Sequence, residues 1–531
     1  MLKTNKYEPE KRKIAIIGLA TKYIYQSITS KEEKENEKFH AYYSIPSPPL
    51  CIPLFGHLPF LGSSFALKLY YWHQKYGPLL RIKIGSQNWL TVTDPAVAYE
   101  LLEKSRELIM SRPYHRFIDE YYSINKRGIV YASSENPKYI NARDIEAIAD
   151  PLLEYEIDEF IQRMIDKTKT ESRVNPFLEL KLMCINTYMT VAFAKRLNSI
   201  DDFTFIDGEV ILDECLPLLG VDGDPPSFVP FLKWIPFASK SNAYLTYTIQ
   251  HIHDYMHRVF HYGLHKSHSH CLIKEIHSVK SFYNFDDDDI MVILSDLNGM
   301  AADLPPTAYT WCLAILTHHL DVQEKIRQEV VQYLKEHDDQ FPRINDIHLF
   351  PYTQSVLKEC LRYRSSNNFG VPRKFDQDVT VNGIVIPKDT VIAIPTFAMH
   401  LSEHVYQNAN TFDPERFINN VSTISSTSTN HYKDRDIYVF GFGPRHCPAI
   451  QMVERQMFYL LIRLFYYCRI ECDVDKNGNP IEIDLNQAND IGVMLRPVVF
   501  HVRAIEQLSH ISPTINIDSS TFTRTTDTDF Q

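Results

Sequence analysis

The most informative stretch of the chain reads Phe440-Gly-Phe-Gly-Pro-Arg-His-Cys-Pro-Ala449. Its glycines permit backbone angles that other residues resist, so the chain can turn tightly around Cys447 and aim amide N–H groups at the sulfur. Such donors, with Arg445 two residues away, would lower the pKa of the thiol and favour a thiolate that binds a metal. Taken alone, the stretch also fits a glycine-rich turn before a helix in which Cys447 is an ordinary buried cysteine.

The composition of the 531 residues narrows the class of protein. Hydrophobic residues make up 44% and charged residues 23%, which is typical of a folded globular protein. The net charge of −11 argues against a general electrostatic interaction with nucleic acid. The chain carries no glycine-rich phosphate motif. Its nine cysteines form no paired CxxC module, which indicates reduced thiols.

A second signal is a pair of opposite charges, Glu359 and Arg362, spaced three residues apart on a predicted helix. Such a pair alone usually belongs to an exposed helix face. Downstream, Phe412-Asp-Pro-Glu-Arg-Phe417 supplies Arg416 as a third charged residue. Together and in this order, the charged motifs and the cysteine loop resemble the cytochrome P-450 family of haem-thiolate proteins. By that resemblance, the three charged residues form a buried network that supports the cysteine loop.

The resemblance covers most of the chain and implies an α+β, mainly α fold: a single large domain of the cytochrome P-450 type with small β-sheets. We expect this domain over residues 45–505, after an N-terminal segment 1–44 and before a disordered Ser/Thr-rich tail 506–531. The residue patterns agree, since helical periodicity dominates the middle of the chain and alternating residues predict hairpins at 79–93 and 379–386.

The N-terminal segment bears on the question of a membrane. Its apolar run, residues 14–20, is shorter than the about 20 residues that a spanning helix needs. The basic residues Lys11, Arg12 and Lys13 before it suit an anionic lipid surface. A weak membrane anchor and no membrane contact therefore both fit. The resemblance implies the endoplasmic-reticulum membrane, with the domain facing the cytosol.

For the site, the resemblance implies haem b with a cysteine thiolate as the axial ligand. Cys447 is then the iron ligand. Arg445 and Arg373 would hold the haem propionates, since a guanidinium matches a carboxylate. Phe440 and Gly443 belong to the same binding loop, and the ring of Phe440 would shield the sulfur from water.

The long central helix departs from the family pattern. The family's acid and alcohol align with Asp303 and Leu304, so the hydroxyl that assists proton delivery is missing. Pro305 and Pro306 remove two helix amides, which predicts a helix that is opened at this point. We expect Asp303, with ordered water or the hydroxyl of Thr307 one turn on, to take over proton delivery.

A second departure lies before residue 145. The family's Trp and Arg, both propionate contacts, align with Pro137 and Asn141, and neither can replace them. Arg143 or Lys138 could compensate with different geometry. We therefore expect a weaker haem affinity than the family norm, and an altered activity is an open alternative.

A stripe of histidines recurs every four residues at His253, His257, His261 and His265. This spacing occurs in zinc sites. No carboxylate accompanies the stripe in the placement of a catalytic general base, and the resemblance puts it on an outer helix. A solvated polar face is the preferred interpretation, and a weak metal site is the alternative.

We therefore predict a haem-thiolate monooxygenase that inserts one oxygen atom from dioxygen into a small apolar substrate. The resemblance implies electrons from an NADPH–cytochrome P-450 reductase, docking on the cysteine side where Lys433, Arg435 and Arg455 offer positive charge. The cofactor carries the oxidation chemistry and the protein positions it. A nucleic-acid partner is not expected.

Two alternative functions stay open at this point. A haem-thiolate enzyme that uses peroxide, or that isomerises its substrate, needs no proton relay to dioxygen, and Leu304 favours it. A catalytically degenerate haem-binding protein is supported only by Pro137 and Asn141. The pocket-lining segments do not specify the substrate by residue type alone.

Overall fold

The structure is a computed structural model of the chain, and it describes residues 38–105, 108, 111–124, 126–132, 149–221, 223–235, 242–267 and 269–508. The predicted anchor and most of the predicted tail lie outside the described residues. So do Pro137, Lys138, Asn141 and Arg143. Within the described part of the chain, no helix is both long enough and apolar enough to cross a membrane.

Ten helices of twelve residues or more form the main body of the described chain. They are α1 (Phe65–Tyr76), α2 (Ala149–Glu171), α3 (Pro176–Phe193), α4 (Phe203–Cys215), α5 (Asn242–His261), α6 (Leu272–Tyr283), α7 (Asp287–Thr317), α8 (Leu320–Glu336), α9 (Pro351–Tyr363) and α10 (Ile450–Tyr467). The largest apolar core lies where α2, α3, α7, α8, α9 and α10 pack together. The predicted α+β, mainly α class is confirmed.

Ten short strands form small sheets at the edge of this helical body. They are β1 (Leu79–Ile84), β2 (Gln87–Val92), β3 (Arg373–Lys374), β4 (Val379–Val381), β5 (Ile384–Ile386), β6 (Val391–Ala393), β7 (Cys468–Cys472), β8 (Ala488–Asp490), β9 (Leu495–Pro497) and β10 (Val502–Glu506). One sheet has the order β1-β2-β6-β3, in which only β2 and β6 run parallel. The other sheets are the antiparallel pairs β4–β5, β7–β10 and β8–β9.

Both predicted hairpins are confirmed as β1–β2 and β4–β5. In the second, Asn382 and Gly383 form the turn, with φ angles of 50° and 79°. Two successive positive φ angles are what a tight two-residue hairpin turn requires, and Asn-Gly supplies them at little steric cost.

The longest helix, α7, runs through the centre of the molecule. It begins with a capping box, in which the carboxylates of Asp286 and Asp289 each accept the other residue's amide. It then continues without a break through Pro305 and Pro306, so the predicted opening of the helix is wrong. The physical reason is tertiary packing: α7 lies along α3 and against α9, and this burial outweighs the loss of two amide bonds.

The histidine stripe lies on α5 and on the turn that follows it. His257, His261 and His265 are exposed, and His253 is half-buried. No group of three or more His, Cys, Asp or Glu side chains among the described residues could hold a metal ion. The exposure agrees with the interpretation of the stripe as a solvated polar face.

One histidine outside the stripe joins α5 to α4. The His251 ring nitrogens lie 2.9 Å from a carboxylate oxygen of Asp207 and 3.2 Å from one of Glu214. Partial burial lowers the pKa of His251, but the two carboxylates outweigh this effect and the net pKa is raised. The charged form of His251 therefore stabilises the contact between the two helices.

We expect the α4–α5 contact to weaken as the pH rises. Because the folded-state pKa of His251 is raised, its contribution is complete below the ordinary histidine pKa of about 6.5 and is lost as the pH rises through the folded value. In denaturant unfolding, His251→Gln should lower the free energy of unfolding by about 1 kcal/mol at about pH 6. At about pH 9 the same substitution should have little effect. The exposed His257→Gln serves as the control. An effect of His251→Gln that is equal at both pH values would contradict the charge argument.

Candidate functional site

The cysteine loop is closed by its own backbone. The amide of Cys447 donates to the carbonyl oxygen of Phe440 at 2.8 Å, and both side chains pack against the main apolar core. Gly443 has a φ of +66°, and a Cβ at this position would lie 2.2 Å from the carbonyl oxygen of Leu102. Only glycine therefore fits at this point of the loop. The side chain of Cys447 is partly exposed.

The thiol of Cys447 is not activated by the protein alone. Burial raises its pKa to about 11, and the amide of Ala449, which lowers the pKa, does not offset this. The expected lowering by Arg445 is wrong, because that guanidinium turns away and donates to the carbonyl oxygens of Ile129 and Ala132, at 3.0 and 2.6 Å. A bound metal cation, which deprotonates a coordinating thiol, would favour the thiolate in this loop.

Three arginines gather beside the loop: Arg112, Arg373 and Arg445. Burial, followed by the charges of the other two arginines, holds the pKa of Arg112 well below its usual range. Burial, and then the charge of Arg445, lowers the pKa of Arg373 to about 10. Like charges in such proximity favour a bound anion.

The bonding of the arginines leaves donors for that anion. Arg373 donates Nη2 to the carbonyl oxygen of Phe442 at 2.6 Å, and its buried Nη1 has no hydrogen-bond partner among the described residues. Among the described residues, Arg112 donates to carbonyl oxygens alone, those of Val130, Val371 and Pro372. Three guanidiniums next to a metal-binding thiol fit the two carboxylates and the iron of haem b.

Arg112 was missed as a site residue by sequence reasoning. It stands in Ser111-Arg-Pro113, which belongs to the resemblance but carries no local sign of a propionate contact. The tertiary structure brings it next to Arg373 and Arg445, which are more than 250 residues away in sequence.

The cysteine loop is also held by Glu103, whose charge acts on nearby Arg373 as well. The Oε1 atom of Glu103 accepts from the Gly443 amide and from Nη2 of Arg435, each at 2.7 Å. Arg435 is buried in this ion pair, so its predicted place on an exposed docking surface is wrong. Lys433 is exposed, and Arg455 lies 3.4 Å from a carboxylate of α2.

The predicted charge network is assembled by α9 and the segment after it. Arg362 donates to both carboxylate oxygens of Glu359, at 2.7 and 2.8 Å, and Arg416 donates to one of them at 3.0 Å. Glu359 and Arg362 are fully buried. Arg362 also donates to the carbonyl oxygens of His400 and Ala409. The network therefore joins α9 to two segments that precede the cysteine loop, one at His400 and one at residues 409–416.

Asp303 is fully buried on α7 and accepts from two cations. Arg496 of β9 donates to both carboxylate oxygens, at 2.7 and 2.6 Å. The ammonium nitrogen of Lys181, on α3, lies 3.0 Å from one of these oxygens. Lys181 also pairs with Glu209 of α4, whose side chain is 23% exposed. The charges thus form a chain from Asp303 to the surface. No local signal could reveal these partners, which lie 122 and 193 residues from Asp303.

Thr307 lies one turn further along the same helix and is fully buried. Its hydroxyl lies 3.7 Å from the sulfur of Met494, at the end of the β8–β9 turn. Leu304 packs with the apolar cluster formed by α3 to α7. Thr307 and Asp303 therefore lie on the same helix, but their side chains contact different partners.

Removing the charge of Glu359 should strand two guanidiniums in the interior. We expect Glu359→Gln to lower the free energy of unfolding by about 3–5 kcal/mol, because breaking a buried ion pair leaves uncompensated charge. The matched control is Glu415→Gln, which breaks the exposed pair of Glu415 with Lys325 and should cost less than about 1 kcal/mol. Denaturant unfolding of both variants measures the difference, and similar losses in the two would contradict the assignment.

Comparison with known proteins agrees with this geometry. The family model described as Cytochrome P-450 matches residues 46–499. Cytochrome P-450 1A1 of Pleuronectes platessa is 24% identical over 442 residues, covering 78% of this chain and 83% of that protein. The cytochrome P-450 monooxygenase yanC of Aspergillus niger is 24% identical, with 83% and 85% covered. The 3-hydroxyphenylacetate 6-hydroxylase of Emericella nidulans is 22% identical, with 83% and 86% covered.

The matched residues include the cysteine loop, the arginine cluster and the Glu359 network. The family has haem b as its cofactor, with a cysteine thiolate as the axial ligand of the iron. Because the family model matches most of the chain, this chain belongs to the cytochrome P-450 family of haem-thiolate monooxygenases.

Proposed function

We propose that this chain inserts one oxygen atom from dioxygen into a small apolar organic substrate, with electrons from an NADPH–cytochrome P-450 reductase. The observation that carries the proposal is the cluster of Arg112, Arg373 and Arg445 beside the Cys447 loop. Haem bound there through a thiolate supplies the activation of dioxygen. The protein binds the cofactor, keeps water from the sulfur and delivers protons.

Each residue of the loop has a defined task in this proposal. Cys447 binds the iron, and Arg445 and Arg373 hold propionates, with Arg112 as a third donor. Phe440 would cover the sulfur, since its side chain and that of Cys447 pack against the same apolar core. Gly443 keeps the loop close to Leu102, where any side chain would collide.

Asp303 is the proposed residue for proton delivery, with Thr307 as its neighbour. The ion pairs of Asp303 with Lys181, and of Lys181 with Glu209, support a route by which protons reach the buried carboxylate from the surface. Within the described part of the chain, the Thr307 hydroxyl has the weak sulfur contact alone, so it can turn toward a bound molecule at small cost.

The electron donor and the location rest on the family. The reductase would dock on the cysteine side, where Lys433 is exposed. The likeness to eukaryotic members of the family supports a position at the endoplasmic-reticulum membrane, with the domain facing the cytosol.

Ligation of the iron by Cys447 is tested by the visible spectrum of the reduced protein under carbon monoxide. We expect the main absorption band to show the long-wavelength shift of thiolate ligation, and Cys447→Ala to lose it. The control is Cys472→Ala, which removes another partly exposed cysteine outside the loop and should keep the shift. A shift that survives in Cys447→Ala would overturn the assignment.

Turnover separates the proposal from its alternative. Leu304 stands where the family has an alcohol, and this favours an enzyme that uses peroxide and needs no proton relay. Product formation with reductase and NADPH supports the monooxygenase, and product formation with peroxide alone supports the alternative. If haem is bound and neither pair of reactants gives product, the chain is a degenerate haem-binding protein.

Neutralising Asp303 should uncouple NADPH oxidation from product formation. A positioned proton donor typically contributes 10²-fold or more, so we expect product formed per NADPH to fall about tenfold or more in Asp303→Asn. Glu209→Gln should give a smaller loss in the same direction, and Leu304→Thr should raise the coupling by restoring the hydroxyl. A fully coupled Asp303→Asn enzyme would exclude the proposed role.

A further inference from the structure

A buried carboxylate of α7 binds the backbone of a distant segment, residues 127–132. Asp296 Oδ2 accepts from the amides of Ile129 and Val130, at 2.7 and 2.9 Å. Its Oδ1 accepts from the Tyr122 hydroxyl at 3.0 Å. Asp296 is only 3% exposed, so these three bonds account for its buried oxygens.

The carbonyl groups of the same segment accept from the haem-site arginines. Ile129 accepts from Nη1 of Arg445 at 3.0 Å, and Ala132 from Nη2 at 2.6 Å. Val130 accepts from Nε of Arg112 at 2.9 Å. The residues at 129 and 130 therefore each donate an amide to Asp296 and offer a carbonyl oxygen to an arginine.

This arrangement couples opposite charges through two backbone residues. The peptide group that joins Ile129 to Val130 has a guanidinium at its carbonyl end and a carboxylate at its amide end. Each charge polarises this group and strengthens the other's hydrogen bond. Burial raises the pKa of Asp296 to about 6, while the hydrogen bonds from the amides of Val130 and Ile129 act against this and favour the charged form.

Gly128 allows the close approach of the segment to α7. It has a φ of +84°, and a Cβ at this position would lie 2.5 Å from Oδ2 of Asp296 and 2.7 Å from a methyl carbon of Val292. Any side chain at 128 would push the segment away from the carboxylate. The contact between Asp296 and the segment therefore depends on this glycine.

We propose that Asp296 is a positioning residue for the haem, because it fixes residues 127–132 so that their carbonyl groups aim Arg445 and Arg112 at the propionates. The inference rests on the proposed propionate contacts. It also gives this chain a means of orienting the arginines although Pro137 and Asn141 stand at the family's Trp and Arg positions. Asp296 itself touches neither haem nor substrate in this role.

The test is the rate at which the holoenzyme loses haem to excess apomyoglobin. We expect Asp296→Asn to lose haem about tenfold faster than the unchanged protein, because the neutral amide holds the segment less firmly. The control is Thr317→Val on the same helix, a buried residue whose hydroxyl donates to the carbonyl oxygen of Leu313 within α7. Its haem loss should be unchanged.

A spectroscopic measurement distinguishes positioning from general stability. If Asp296 orients the arginines, the propionate bending bands in resonance Raman spectra should shift in Asp296→Asn and stay in place in Thr317→Val. Unchanged bands with unchanged haem loss in a folded Asp296→Asn would overturn the inference. The inference would also be overturned if Asp296→Asn lowered the thermal stability of the holoprotein and the apoprotein equally, without faster haem loss.

Further variants keep the test decisive. If Asp296→Asn does not fold, Gly128→Ala displaces the segment from the other side and should give the same faster haem loss. Arg445→Gln tests the proposed propionate contact itself. If it loses haem no faster than the unchanged protein, the propionate role fails. If it does lose haem faster while the Asp296 and Gly128 variants do not, only the present inference fails.

Discussion

Clustered positive charge beside a weakly acidic thiol is the constraint on which the rest of the site depends. Arg112, Arg373 and Arg445 repel one another in a part of the protein where water screens charge poorly. The thiol of Cys447 has the opposite difficulty, because burial disfavours its charged form. Haem would relieve both effects, since its carboxylates would neutralise the arginines and its iron would stabilise the thiolate. The positive charge of the site therefore favours a ligand that carries carboxylates.

The buried cations of this chain have two different kinds of partner. Around Glu359 and around Asp303, cations meet carboxylates of the protein, so these networks are satisfied internally and hold helices together. Arg112, Arg373 and Arg445 donate most of their hydrogen bonds to backbone carbonyl groups. Carbonyl dipoles orient a guanidinium without cancelling its charge, so the charge stays available to a ligand. Asp296 contacts these arginines indirectly, because it accepts from the amides of residues 129 and 130, whose carbonyl groups bind the guanidiniums.

Several features could be predicted from the sequence because they are local. The glycine at 443, the Asn382-Gly383 turn and the helical spacing of Glu359 and Arg362 each depend on neighbouring residues only. Three predictions that depended on long-range contacts failed. Arg445 does not lower the pKa of Cys447, Arg435 is buried against Glu103, and α7 runs unbroken through its prolines. In each case the decisive contact comes from a segment distant in sequence.

The order of the motifs determined the family, the thiolate loop and the charge network, because backbone geometry and residue spacing act over a few residues and survive in the sequence as patterns. Tertiary structure decided which of the charges face one another. Arg112 joined the site, Asp303 received Lys181 and Arg496, and Asp296 received residues 129 and 130 only once segments more than 100 residues apart were packed together. Charge interactions and desolvation depend on distance in space and on exclusion of water, and neither quantity is written in the order of the residues.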